Sequence, residues 1–403
     1  MTLFVTDGDQ RPTLAVVRSL GRAGVRVTVG CEADVCLAGR SRYCGSIVHY
    51  PSPLKEPEAF KMFIRQEITG DTYRVLLPMT DVTMYLIGNM QTQVDSRVHL
   101  PIPGADKIAF IQDKQRVLTL ARQLGIECPR DFAPSKAESV EDFAYRLPYP
   151  VVIKPRFSRF LNGGKWAQGP VCFAHDANDF IRKYNTSHSH IPYPIVQEKV
   201  EGDGLGVFLL LWDGKPRAAF CHRRLREKPP WGGVSVLSES VPPDENLVQK
   251  SLKLLKTIGW QGVAMVEYKT DKMDGRPKLM EINGRFWGSL QLAIDSGVDF
   301  PKMLYKLAIG GHLDEPGNYA AGIKCRWLLG DLDHLLIRLT HSDKANHLPS
   351  NSPSRLGACI NFLRFFEKGM RSEVWRRDDP SPGWFEYRSY FHENVQRIFR
   401  GQK

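Results

Sequence analysis

Residues 2 to 30 set the first constraint on what this chain can fold into. A short apolar run at 2–6 stops at Asp7-Gly8-Asp9, Leu14, Val17 and Leu20 repeat at helical spacing, and after Gly24 a second apolar run covers Val25 to Val29. Strand, helix and strand in that order make a βαβ unit, so the first ~110 residues read as a small doubly wound domain. The next strand candidate, Val75-Leu76-Leu77-Pro78, runs into Thr80-Asp81. Polar groups at the carboxyl end of a strand are where α/β sheets hold ligands. Asp7, Asp9, Thr80 and Asp81 are therefore candidates to hold a substrate, with a purely structural wing as the alternative. The glycines do not form G-x-G-x-x-G, so no dinucleotide site is expected.

A helical pattern over 114–125 ends at Gly125, and Pro129, Pro134, Pro148 and Pro150 punctuate the stretch after it. From Val151 the spacing tightens. Strands are expected at Val151 to Lys154, Val171 to Phe173, Ile195 to Val200, Gly206 to Trp212 and Arg217 to His222. Short turns between them predict an antiparallel platform. A helix from Glu245 to Ile258 and strands Val263 to Tyr268 and Pro277 to Ile282 complete the block, and no repeat of 20 to 50 residues is visible. Beyond about 325 the chain reads as helical and basic, with a loop from Ser342 to Arg355 and a tail that mixes arginines with Trp375, Trp384, Tyr387, Tyr390 and Phe391.

With 403 residues, 42% of them hydrophobic and 25% charged, the chain can build two or three cores, and disorder is not expected. The eight cysteines, 31, 36, 44, 128, 172, 221, 325 and 359, form no Cys-x-x-Cys pair, which predicts reduced thiols and no zinc site. The first residues lack a signal peptide's basic flank and apolar stretch, and the longest apolar run, Val207 to Trp212, is too short to span a bilayer. The expectation is a soluble, cytoplasmic protein. A net charge of +11 favours acidic partners without naming a reaction.

The sharpest chemical signal is Glu267 followed fourteen residues later by Glu281-Ile282-Asn283-Gly284-Arg285. Alternate side chains of a strand share a face, so Glu281, Asn283 and Arg285 point together while Met280 and Ile282 point to the core. A polar turn at Lys272 to Arg276 would bring Glu267 alongside Glu281. Two carboxylates and an amide oxygen suit Mg²⁺, which accepts phosphate oxygens and water as its other ligands. Arg285 supplies a planar fork for a carboxylate or phosphoryl group. The bland alternative is a pair of surface strands with solvated acids. A second signal is basic: Lys114 begins a helix, and Lys154 ends the apolar strand Val151-Val152-Ile153, where its charge stands above the sheet. After it comes a Gly-rich segment, with Gly163, Gly164 and Lys165, whose backbone N–H groups can close over phosphates. Third, the strand leading to Gln197-Glu198-Lys199-Val200 stops at a Gly-rich turn, exposing an edge that can read an adenine ring, and Glu201 or Asp203 can accept from ribose hydroxyls.

This order of features resembles the ATP-grasp superfamily over roughly residues 1 to 310. Glu281-Ile282-Asn283 with Arg285 is similar to the metal and substrate-orienting segment of biotin carboxylase and D-alanyl-D-alanine ligase, and Glu267 matches the first metal carboxylate. His222-Arg223-Arg224-Leu225-Arg226-Glu227, followed by Gly232-Gly233, looks closest to the carboxylate–amine ligase and carbamoyl-phosphate-synthetase-like branch. The resemblance implies a fold of mixed α/β and α+β class: a Rossmann-like domain at 1–113, an ATP-grasp domain at 114–312 with its lid at about 150–205, and a helical, basic extension at 313–403. Gly204 stands where relatives often carry a ribose-binding glutamate, and bulky Trp166 stands in the lid.

What the resemblance implies for activity is an ATP-dependent ligase using Mg²⁺, or Mn²⁺ in its place. A substrate carboxylate becomes an acyl phosphate beside Lys114 and Lys154, and a small-molecule amine displaces the phosphate, with His222, Arg223, Arg226 and Arg285 orienting substrate. An ATP-grasp kinase, or a ligase with a thiol or hydroxyl nucleophile, is the nearest alternative. A binding protein for nucleic acid or anionic membrane is a further one, but the tail alternates Arg with Glu and Asp and reads better as a packed cap or as an interface to a second copy or a pathway partner than as a nucleic-acid track.

Overall fold

The computed structural model describes every residue except 1, 71, 136–137, 192, 315–316, 342–347, 349–351 and 401–403, and the side chains of 395–400. At the N-terminus, strands Thr2–Val5, Arg26–Cys31, Ser46–His49 and Val75–Leu77 form a four-stranded sheet in the order third, second, first, fourth, and every pairing is parallel. Helix Arg11–Arg22 covers one face, and Leu14, Val17 and Leu20, the residues whose spacing predicted it, are buried.

Four short strands, Asp131–Phe132, Ile195–Glu198, Val151–Lys154 and Cys172–Ala174, pair antiparallel in that spatial order. Helices Val140–Tyr145 and Ala177–His190 pack on this sheet through Phe143, Phe180 and Tyr184. The Gly-rich segment after it is a tight hairpin, Phe160–Asn162 against Lys165–Ala167. Gly163 and Gly164 take φ of +55° and +78° at its tip, where a side chain would be strained. Trp166 explains itself here: it meets Tyr85 edge-on at 5.7 Å and donates from its indole to the Pro53 carbonyl at 3.0 Å, tying the hairpin to the N-terminal domain.

The central sheet has seven strands in the order Pro277–Asn283, Gly262–Asp271, Gly202–Trp212, Lys215–Lys228, Val234–Val241, Lys324–Arg326 and Met370–Ser372. The strand Lys215–Lys228 runs well past His222, and Val234–Val241 was not expected at all. Charged residues fill the first stretch and serines, two of them buried at 238 and 240, interrupt the second, so neither carries the apolar signature of a strand. The segment beyond 313, expected to be helical, holds helices and also strands. Two three-residue strands, too short to leave an alternating pattern, join the sheet among helices Leu328–Thr340, Arg355–Phe362 and Ser381–Arg400. The loop expected at Ser342 to Arg355 lies largely outside the described residues.

The C-terminal segment straps itself to the N-terminal domain with charge. Arg18, fully buried, donates from Nε to Asp379 at 2.8 Å and from Nη2 to the Asp379 carbonyl at 2.9 Å, while Ser41 Oγ reaches the same carboxylate at 2.6 Å. Removing one partner of a buried pair strands the other charge, at a cost of about 3–5 kcal/mol. Asp379→Ala is therefore expected to lower stability by that amount in urea unfolding. A shift under ~1 kcal/mol, the range of an exposed pair, would contradict the strap's role.

Candidate functional site

Between the small antiparallel sheet and the central one lies a cavity of about 690 Å³. Lys154, Gln197, Glu198, Lys199 and Val200 line one wall, Glu267, Glu281 and Asn283 the other, and His222, Arg224, Arg285, Trp287 and Ser289 close the inner end. Strand register produces the acidic wall. Glu267 sits directly across from Glu281 in the antiparallel pair, and Met265 across from Asn283. Gly284 lets the chain turn there, because a Cβ at that position would lie 2.3 Å from both Trp260 and Ile111.

Each carboxylate of this wall already has cationic company. Glu267 Oε2 accepts from Arg224 Nη2 at 2.6 Å, and Lys114 Nζ lies 3.6 Å from Glu281 Oε2. Asn283 Nδ2 donates to Glu281 Oε1 at 3.0 Å, which leaves the amide oxygen as the atom Asn283 can offer. Burial pushes the Glu267 carboxyl up, beyond what Arg224 offsets. Burial acts on Glu281 too, but Lys114, the Asn283 amide and Lys154 outweigh it and hold that carboxyl below its usual value. Among the described residues no cluster of three or more His, Cys, Asp and Glu is suited to a metal. Two carboxylates and an amide oxygen nonetheless fit Mg²⁺, which binds through few carboxylates and completes its shell with water and phosphate.

Two lysines stand close to Glu281. Lys114 begins helix Lys114–Gln123, whose first turn is capped by Asp113 accepting from Gln115 N at 3.1 Å and Arg116 N at 3.3 Å, and its ammonium donates to Ser158 Oγ at 2.5 Å. Lys154 is the buried last residue of its strand; burial, then Lys114, lower its pKa to about 8. Gln197 and Glu198 are held in place by Asp131 at 2.5 Å and Lys278 at 2.9 Å, and strand pairing stops at Glu198, so Lys199 and Val200 border the cavity beyond its last rung. Arg285 is oriented by Asp81 at 3.0 Å. His222 is buried and held neutral by burial and Arg224; its Nδ1 lies 3.4 Å from Ser289 Oγ, and Nε2 has no partner among the described residues.

Several expected site residues are elsewhere. Arg226 pairs through Nε and Nη2 with Asp331 at 2.6 and 2.7 Å, outside this cavity, because the strand's register shifts between Arg224 and Arg226. Asp203 lines a separate cavity of about 280 Å³ beside Arg226 and Arg338, so the ribose assignment is not supported there. Gly163, Gly164 and Lys165 sit in the docked hairpin and do not line the cavity. Asp7 faces inward, its carboxylate accepting from Thr83 at 2.7 Å and Thr80 at 3.2 Å, and Asp9 is exposed away from the cavity. The residue the sequence reading missed is Arg224. Alternation from His222 along the strand puts Arg224, not Arg223, on the same face, and Arg223 pairs outward with Glu239 at 2.6 Å.

A family model described as ATP-grasp in the biosynthetic pathway with Ter operon matches residues 190–330. Over that stretch the chain is similar to the ATP-grasp family. The N-terminal section of the carbamoyl phosphate synthase large chain from Methanopyrus kandleri is 21% identical over 297 residues, covering 70% of this chain and 51% of that one. The large chain from Xylella fastidiosa is 25% identical over 229 residues, covering 54% of this chain and 21% of that one. The chain thus spans about half or less of the curated relatives it matches. Among solved structures, a biotin carboxylase from Campylobacter jejuni aligns with a TM-score of 0.63 at 14% identity, covering 80% of this chain and 74% of that one. An N5-carboxyaminoimidazole synthetase from Staphylococcus aureus aligns at 0.58 and 12%, covering 80% of each. An L-amino acid ligase from Bacillus licheniformis aligns at 0.58 and 16%, covering 77% and 74%. These similarities establish the ATP-grasp fold.

Lys154 is expected to lose its proton near pH 8, and Lys114→Met should raise that midpoint by removing the neighbouring charge. NMR titration of the lysine side-chain signals, assigned through Lys154→Arg, measures it. A midpoint at the ordinary lysine value near 10.4 would contradict the buried, lysine-paired environment.

Proposed function

We propose that this ATP-grasp chain is an ATP- and Mg²⁺-dependent ligase that activates a substrate carboxylate as an acyl phosphate and joins it to an amine, releasing ADP and phosphate. The observation that carries this reading is the pairing of Glu267 with Glu281 across one wall of a cavity whose other wall presents Lys154. Two carboxylates opposed at cross-strand distance, next to two lysines, make an arrangement that a bound cation and a polyphosphate would satisfy together.

In this reading Glu267, Glu281 and Asn283 hold Mg²⁺, which would supply positive charge against the phosphate oxygens. The adenine lies along the strand end at Glu198 to Val200. Lys114 and Lys154 face the phosphoryl oxygens, and the substrate carboxylate, set by the Arg285 and Arg224 guanidinium groups, attacks the γ-phosphorus as the bond to ADP breaks. The amine nitrogen then attacks the acyl carbon, and the carbon–oxygen bond breaks with its electron pair leaving on phosphate. The amine proton passes to solvent, and neutral His222 accepts a hydrogen bond from the incoming amine through Nε2. Enclosure between the two sheets limits hydrolysis of the acyl phosphate. The eight cysteines are all unpaired, and we place the activity in the cytoplasm, on small-molecule acid and amine substrates rather than nucleic acid.

Hydroxylamine tests the intermediate. With ATP, Mg²⁺ and the correct acid drawn from a panel, hydroxamate should form without any other amine, and ADP should appear in equal amount. Glu281→Ala is expected to cut that rate by ~10³-fold while circular dichroism stays unchanged. Full activity in that variant, or ADP release with no hydroxamate from any acid, would refute the reading.

A further inference from the structure

The helix Arg355–Phe362 is apolar on two faces, and only one of them is covered. Inward, Ala358 is buried, and Phe362 and the following Phe365 stack beneath the Arg326 guanidinium at 4.5 and 4.8 Å. Outward, Leu356, Ile360, Leu363 and Phe366 recur at helical spacing and are all exposed, Phe366 fully so at the turn beyond the helix. The neighbouring helix Leu328–Thr340, packed against it, adds exposed Leu336 and Leu339. An apolar stripe of this kind on a protein surface normally has a partner.

Charge selects which partner. Between 352 and 371 the bases are Arg355, Arg364, Lys368 and Arg371 and the one acid is Glu367. Glu367 is taken by Lys324 at 2.6 Å, and Arg371 leans toward Asp295 at 3.7 Å. Among the described residues, Arg355, Arg364 and Lys368 form no ion pair with a carboxylate, Arg364 adding only a longer-range attraction to Glu367, so the exposed stripe is rimmed by excess positive charge on a chain that is +11 overall. A two-fold interface with a second copy would bring this patch against itself and set those cations face to face. An apolar stripe with a basic rim is instead the pattern of helices that lie in the headgroup layer of acidic lipid.

We propose that the outer face of the helix Arg355–Phe362, with Leu363 and Phe366, docks this enzyme reversibly on an anionic phospholipid surface. Leu356, Ile360, Leu363 and Phe366 enter the acyl boundary, while Arg364 and Lys368 meet lipid phosphates. No helix among the described residues is long and apolar enough to cross a membrane, so the contact is peripheral.

Co-sedimentation of the full chain with vesicles of phosphatidylcholine and phosphatidylglycerol in equal parts tests this. Binding is expected to these vesicles, to weaken as salt rises, and to be lost on pure phosphatidylcholine. Leu363→Asn with Phe366→Ser should weaken it at least ~10-fold with thermal unfolding unchanged. Arg364→Ala with Lys368→Ala, which leaves the apolar stripe intact, should flatten the salt dependence. No sedimentation with the anionic vesicles would overturn the proposal. So would a concentration-dependent dimer in light scattering that the Leu363→Asn, Phe366→Ser variant abolishes, since the stripe would then be covered by a second copy.

Discussion

Two carboxylates facing each other across one strand pair, Glu267 on Gly262–Asp271 and Glu281 on Pro277–Asn283, set the terms for everything around them. At a cross-strand spacing near 5 Å two full charges repel by about 3 kcal/mol at an effective dielectric constant of 20. The fold offsets this with cations from different parts of the chain: Arg224 from the central sheet meets Glu267, and Lys114 from a helix start approaches Glu281. Burial raises both carboxyls, and Lys114, the Asn283 amide and Lys154 outweigh it only at Glu281, so a proton is held more readily on Glu267. A metal ion at this place would take over compensation that side chains now provide, freeing Arg224 to act on substrate.

The site depends on distant segments for its shape. Arg285 is aimed by Asp81, at the start of the helix that Thr80 caps, and Thr80 is fixed in turn by the buried Asp7 carboxylate. Arg11 reaches the inner end of the cavity from the first helix, pairs with Glu373 of the C-terminal segment and stacks over Trp327 at 3.8 Å. Burial raises the Glu373 carboxyl to about 7, against the pull of Arg11. The segment beyond residue 313 is thus part of the structure that holds the first helix and, through it, one end of the cavity.

What could be read in the sequence was what local geometry fixes. Alternation puts Glu281 and Asn283 on one face and a short turn brings their strand beside Glu267, while a register shift at Glu267/Tyr268 sets Glu281 rather than Met280 opposite it; a lysine ending a buried strand can emerge only above the sheet. The doubly wound opening was legible for the same reason: the period changes from helix to strand over a few residues. Contacts between remote segments decided the rest. The Gly163-Gly164 turn reads as a phosphate-covering loop until Trp166 is seen docked against residues 53 and 85. Arg226 shares a strand with Arg224, yet a register shift sends it to Asp331. Strands of three residues, such as Lys324–Arg326 and Met370–Ser372, carry too little pattern to be found at all.

If the two carboxylates act as proposed, a divalent ion sits between residues 267 and 281 whenever nucleotide is bound. Fe²⁺ put in place of Mg²⁺, with ascorbate, peroxide and a non-hydrolysable ATP analogue, cleaves the backbone where the metal is held, and mass spectrometry locates the cuts. Nucleotide-dependent cleavage beside Glu267 and Glu281, absent from Glu281→Ala, is the expected result. Cuts confined to another acidic region, such as that around Asp331, or cuts indifferent to nucleotide, would contradict it.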